Sequence, residues 1–161
     1  MNKNIDLVFR NLTSDKEYDI FFFKNILETA AQELKLKEEI GVSVNLVRET
    51  KIRELNKKYR KKDKPTDVLS FQIQEKLEIG KQKLEVKDLG DIFICLSIAK
   101  NEAKEENIGI EYKLAQLTVH GFLHLLGYDH EKLKKGADKM FSLEKKILSK
   151  INGKATHNSR Y

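Results

Sequence analysis

The segment HGFLHLLGYDH, His120 to His130, constrains this chain more than any other part of it. It holds three of the four histidines, and its spacing permits few backbone paths. Residues four apart on an α-helix differ by about 40° in direction, so His120 and His124 project from one face, a turn apart. Leu125 and Leu126 carry the helix a step further, and Gly127 then supplies the left-handed residue that ends a helix and reverses the chain. The reversal swings His130 back toward the first two. A fold that contains this segment needs a helix, a sharp bend and space for three imidazoles around one point.

That arrangement suits a divalent transition ion, Zn²⁺ first, one per chain, with Ni²⁺, Cu²⁺ and Co²⁺ as competitors. Three protein ligands leave a fourth tetrahedral position open, as catalytic zinc sites require, whereas a structural site is closed by a further Cys or His. Cys95, the single cysteine, lies instead in the apolar run DIFICL and reads as an inert buried thiol. The spacing H-x-x-x-H-x-x-G-x-x-H matches a zinc-protease pattern, except that Gly121 stands where the general-base glutamate belongs. Without that carboxylate to activate water and protonate the leaving amine, peptide hydrolysis is disfavoured. A phosphodiester asks for positive charge on an anionic phosphorane and a stabilised leaving alkoxide, which a metal ion and an arginine supply.

A second local feature agrees. KKYRKKDK, Lys57 to Lys64, packs six cations, one aspartate and one tyrosine into eight residues, within a chain of formal charge +6. Such density points to a polyanionic partner. Arg60 is better suited than lysine to hold two phosphate oxygens at once. Lys57, Lys58, Lys61, Lys62 and Lys64 would neutralise flanking phosphates. Tyr59 either stacks a base or, from its helical spacing to Ile52 and Leu55, packs in the core, and the spacing favours the core. Asp63 either pairs with Arg60 or Lys62 or is a solvated carboxylate. Ser70 reads as solvent-facing. Asp91 and Asp129 are candidates to accept a histidine Nδ1–H.

Hydrophobic periodicity places these motifs. Ile5, Leu7 and Phe9 alternate as a first strand. SDKE, Ser14 to Glu17, has the capping-box pattern before a helix with Phe23, Ile26, Leu27, Ala30 and Leu34 on one face. Val42, Val44 and Leu46 mark a second strand. A helix through Ile52 and Leu55 follows, closed by Pro65. DVLSFQI is a third strand with Leu69, Phe71 and Ile73 on its inner face, and LGDIFICL a central strand buried on both sides. QEKLEIGKQKLEVKD, between them, reads as a hairpin or surface excursion. Helices over 97–107, 112–126 and 133–151 complete the chain. The order β-α-β-α-β-β-α-α-α implies a single α/β domain over 1–151 with a small mixed four-stranded sheet, and a flexible tail over 152–161. No apolar run reaches membrane-spanning length and the first ten residues lack a secretory layout, so a cytoplasmic protein is expected.

NKKYRKKDKPTDVLSF (Asn56 to Phe71), GDI (Gly90 to Ile92) and HGFLHLLGYDH together resemble the YbeY family of bacterial endoribonucleases. Met140 and Glu144 in the last helix are in place as well. The resemblance implies zinc on His120, His124 and His130 at the floor of a basic cleft, with Arg60 and His120 as the residues essential to catalysis. It implies single-strand-specific cleavage of ribosomal RNA, at the 3′ end of 16S rRNA, and a part in ribosome quality control. Its partners would be the small ribosomal subunit and its assembly factors, with no DNA and no membrane. The nucleophile would be water at the ion or the RNA's own 2′-hydroxyl. Two rivals stand beside this reading. One is a non-catalytic assembly factor with a structural metal, the other a metallohydrolase of peptides or small molecules.

Overall fold

The structure, a computed structural model, describes residues 5–73, 87–128 and 134–158, apart from the side chains of 134–137 and 152–158. Four strands, β1 (Ile5–Asn11), β2 (Ile40–Val47), β3 (Val68–Gln72) and β4 (Lys87–Cys95), form one mixed sheet in the order β1-β2-β4-β3. The first three in that order run parallel, and β3 closes the edge antiparallel to β4. Among the described residues five helices flank it: α1 (Ile20–Glu33), α2 (Glu49–Arg60), α3 (Leu96–Glu106), α4 (Ile110–Leu125) and α5 (Lys134–Asn158). This is the α/β architecture, in the element order, that the periodicity implies. Among the described residues no helix is long and apolar enough to cross a membrane.

The sheet divides the core in two. Val42, Val44, Leu46, Ile92 and Ile94 belong to the larger cluster, with Phe23 and Leu27 of α1, Phe122 and Leu123 of α4, and Ile147 of α5. Val47, Leu69 and Cys95 form a smaller cluster under Ile52 of α2. Every residue of β2 is buried, so it is the strand most completely enclosed on both faces, as its central position in a parallel arrangement requires. Cys95 is buried on the α2 side, with the sheet between it and α4.

α4 is the central helix. Gly121 lies against β4: a Cβ there would stand 3.0 Å from Ile92 Cγ2. That contact answers why no glutamate follows His120. In this packing, position 121 points into the sheet rather than into a cleft, and a carboxylate would be driven into the core. Lys113, 5% exposed, ties α4 to α3 through Glu106 at 2.8 Å and Glu102 at 3.0 Å. Burial acts to lower its pKa, but the bonds to the two glutamates outweigh it and leave the ammonium raised.

Several local expectations need correction. α1 starts at Ile20 with Asp19 as its cap, Oδ1 accepting the Phe22 N–H at 3.1 Å, and not at Ser14. Asp15 instead accepts the Glu17 N–H at 2.9 Å, an Asx turn that satisfies the loop with the same side-chain chemistry a helix cap uses. α2 ends at Arg60, well before Pro65, because Lys61 takes the left-handed conformation (φ 58°). On β3, Leu69 and Phe71 do pack inward, but Ile73 is 46% exposed just beyond the strand. The apolar stripe of the last helix ends near Ile151, yet its backbone stays helical to Asn158, since extending an existing helix is far easier than starting one. The expected excursion over 74–88 lies, but for Lys87 and Asp88 at the start of β4, outside the described residues.

Candidate metal centre and basic edge

The histidine segment behaves as its spacing requires up to Tyr128. Gly127 has φ +99°, its N–H donates to the His124 carbonyl at 3.0 Å, and the Tyr128 N–H donates to Leu123 O at 3.0 Å. This is the paired-bond C-terminal motif that glycine favours, and it turns the chain at the end of α4. His120 and His124 lie on one face of α4, ring centroids 4.5 Å apart, with their Nε2 atoms at 3.0 Å. Two nitrogens bound to one Zn²⁺ at about 2.0–2.1 Å in tetrahedral array stand roughly 3.3 Å apart, so the pair is spaced to share an ion. His130 and Asp129 fall outside the described residues. Among those that are described, no group of three His, Cys, Asp or Glu side chains is placed to hold a metal.

One partner was not singled out in the sequence for this role. Glu144, on α5, places Oε1 2.5 Å from His120 Nδ1. A carboxylate only accepts, so Nδ1 carries the proton and the Nε2 lone pair is left facing His124. This is the support that metal-binding histidines ordinarily have. Asp91 does not supply it. Its Oδ1 takes the Ser43 hydroxyl, across the sheet from its neighbour Ile92, which packs against α4. Strand alternation puts adjacent residues on opposite faces, so Asp91 and the histidines are on different sides of β4.

The edge strand β3 links the histidines to the basic cluster. Gln72 Nε2 donates to the His124 carbonyl at 2.8 Å, and Arg60 Nη2 reaches the Ser70 carbonyl at 3.4 Å. The histidine helix and the end of α2 therefore meet two residues apart on one short strand. Ser70 is half-buried rather than solvent-facing. Asn56 shapes the basic loop: 2% exposed, its side chain donates to Lys64 O at 2.9 Å, and its carbonyl accepts the Lys61 and Lys62 N–H groups. Nothing in its sequence neighbourhood marks it as more than the start of a charged run. Asp63 pairs with Arg53 at 2.8 Å and Lys57 at 3.9 Å, not with Arg60 or Lys62. The Arg53 hydrogen bond holds its carboxyl below the ordinary range. The pairing with Arg53 spans a loop, which helical spacing cannot show. Lys58, Arg60, Lys61, Lys62 and Lys64 are exposed, as is Lys57.

Similarity to known proteins agrees with this geometry. The family model described as Endoribonuclease YbeY matches residues 9–152. A protein named Endoribonuclease YbeY from a Sulfurihydrogenibium species is 42% identical over 149 residues, 92% of this chain and 93% of its own. Its namesake from Oenococcus oeni is also 42% identical, over 81% of this chain and 84% of its own, and one from Bacillus cereus is 37% identical over 92% and 96%. A solution structure from Thermotoga maritima superposes with a TM-score of 0.62 at 33% identity, covering 94% of each chain. Since the match takes in the basic edge, α4 and α5 alike, this chain belongs to the YbeY endoribonuclease family.

Proposed function

We propose that this protein is a metal-dependent endoribonuclease that cuts single-stranded RNA, with 16S ribosomal RNA near its 3′ end as the target. The observation that supports it is the convergence of the His120 and His124 Nε2 atoms at 3.0 Å, with Glu144 on the far nitrogen of His120 and Arg60 held on the same edge strand. Zn²⁺ would be held by these two residues and His130, and would supply Lewis-acid charge for phosphodiester cleavage.

The remaining steps belong to the side chains. Glu144 holds the proton on His120 Nδ1 and so keeps the ring's lone pair aimed at the site. Arg60 is anchored by one long bond to Ser70 O, which leaves its other N–H groups to take phosphate oxygens and to stabilise the charge that grows on them. The five lysines from Lys57 to Lys64 neutralise phosphates on either side. If all six cations of this run engage a single strand, the log–log salt slope of binding approaches about −4. Ribosomal RNA as the target, a part in ribosome quality control and assembly partners on the small subunit follow from the family resemblance.

Protein purified without added metal should carry a stoichiometric transition ion and cleave single-stranded ribosomal RNA. Chelation should stop cleavage, and Zn²⁺ should restore it. The product ends identify the nucleophile: attack by water leaves a linear monoester, attack by the 2′-hydroxyl a 2′,3′-cyclic phosphate. Cleavage that survives complete metal removal, or no cleavage by the metal-loaded protein, refutes the proposal. The second result is what the non-catalytic assembly factor predicts.

Glu144→Gln tests the positioning of His120. An amide can still accept from Nδ1–H but without charge, so metal affinity should fall by about 10- to 100-fold. Competition with a metal indicator reads this directly. An unchanged affinity would remove Glu144 from the site.

A further inference from the structure

We propose that Tyr59 is a stacking platform for one unpaired RNA base beside the cleavage site, an inference that rests on the endoribonuclease reading. The helical pattern directs this ring inward: Tyr59 is two helical turns past Ile52, which is fully buried, and three residues past Asn56, which is 2% exposed. The residue is nevertheless 58% exposed. Among the described residues, the last turn of α2 meets the sheet at β3, its outermost strand, through the Tyr59–Phe71 contact.

The exposed ring is held firmly. Phe71 braces it at 5.1 Å between centroids, tilted by 56°, and Phe93 braces Phe71 edge-on at 5.8 Å. The row runs from the surface to the smaller core, so the outermost ring is oriented before any ligand arrives. A fixed aromatic surface loses little freedom on binding. Its surroundings select the ligand. Lys58 Nζ lies 5.3 Å from the ring centroid, and Arg60, next in sequence, bonds Ser70, the residue beside Phe71. A π-face among phosphate-binding cations is what single-stranded nucleic acid requires: a backbone to neutralise and a base to stack. A duplex, with its bases already stacked on one another, cannot use it. Tyr59 thus contributes to single-strand preference while the cations contribute affinity for any strand. Because β3 carries Phe71 against Tyr59 and Gln72 against the His124 carbonyl, a base on the ring and a phosphate near the histidines lie on opposite sides of one edge strand. Arg60 sits at the crossing.

The chain has no tryptophan, which makes the test direct. Tyr59→Trp introduces the only indole, whose emission should be quenched by a short single-stranded RNA, and far less by the same strand carrying abasic residues. Tyr59→Leu keeps an apolar cover over Phe71 but cannot stack. It should weaken RNA binding and raise KM by roughly 5- to 100-fold, with kcat little changed, while Tyr59→Phe behaves as the parent protein. A purely structural tyrosine would shift the unfolding midpoint of the leucine variant and leave the contrast between intact and abasic RNA untouched. Equal quenching by both RNAs, or parental affinity in Tyr59→Leu, overturns the stacking role. If the parent protein binds and cuts RNA normally in that experiment, the endoribonuclease reading survives. If the parent neither binds nor cuts, both fall together.

Discussion

Replacing His124 with alanine will reduce cleavage of single-stranded RNA by about three orders of magnitude or more and strip the protein of its metal. Replacing Arg60 with alanine will reduce cleavage by about 10²–10³ and leave the metal bound. The contrast follows from the geometry. His124 presents one of two ring nitrogens 3.0 Å apart, so under the proposed function its loss removes a ligand. Arg60 bonds Ser70 O, and a guanidinium, permanently protonated, does not coordinate a cation, so its loss removes charge from the phosphate alone. Arg60→Lys should recover part of the rate, because a lysine restores the charge without the two-point grip. Neither site lies in the packed core, and substitutions outside it usually move stability by within about 0.5 kcal/mol. Arg60→Ala should therefore unfold cooperatively near the parental midpoint, and His124→Ala near the midpoint of the metal-stripped parent, since loss of a bound ion removes its own stabilisation. Elemental analysis and a cleavage assay on the same samples separate the two roles. A His124→Ala protein that retains its metal and parental rate would dismiss the centre, and an Arg60→Ala protein at the parental rate would move the phosphate contact elsewhere.

Much of this arrangement is legible in the order of residues, and the reason is locality. His120, His124 and Gly127 lie within eight residues, and helical pitch plus the conformational freedom of glycine fix their relation. The strand and helix order follows from periods of 2 and 3.6. What escapes is whatever depends on distant parts of the chain meeting. Glu144 is 24 residues beyond His120, and only the packing of α5 on α4 brings them together. Arg53 finds Asp63 across the loop that Asn56 shapes, whereas adjacency in sequence points to Arg60 and Lys62. Asp91 is a subtler case. Alternation on β4 already separates it from Ile92, so its side of the sheet is readable, but which side α4 occupies is known only once Gly121 is seen against Ile92. Tyr59 differs: its local pattern is clear and points inward, yet at the last turn of α2 it meets only the outermost strand of the described sheet and stays exposed.

Gly90→Ala will be severely damaging for a change of a single methyl group on this sheet. Gly90 adopts φ +131°, and a Cβ at that position would stand 2.0 Å from the Phe71 carbonyl oxygen and 3.1 Å from Gln72 Cα. Both obstacles are backbone, which cannot swing aside as a side chain could. The positive φ alone costs on the order of 1–3 kcal/mol for a residue with a Cβ, and the overlap adds to it. A loss above about 3 kcal/mol is expected, which for a chain of this size lowers the midpoint by roughly 6–12 °C. The strand that must yield is β3, since β4 is held on its other side by the parallel pairing with β2. Moving β3 takes Gln72 from the His124 carbonyl and Ser70 from Arg60. The damage should therefore exceed the stability loss: assayed well below its midpoint, where it is fully folded, Gly90→Ala should still cut RNA at least about tenfold more slowly than the parent, because a small misplacement of catalytic groups is enough for that. Ile92, one strand-repeat along on the same β4 face, offers the control. Ile92→Val also weakens the core, by about 0.5–1.5 kcal/mol, without displacing β3. If both variants lose activity only in proportion to stability, β3 is not what brings the histidines and the arginine together.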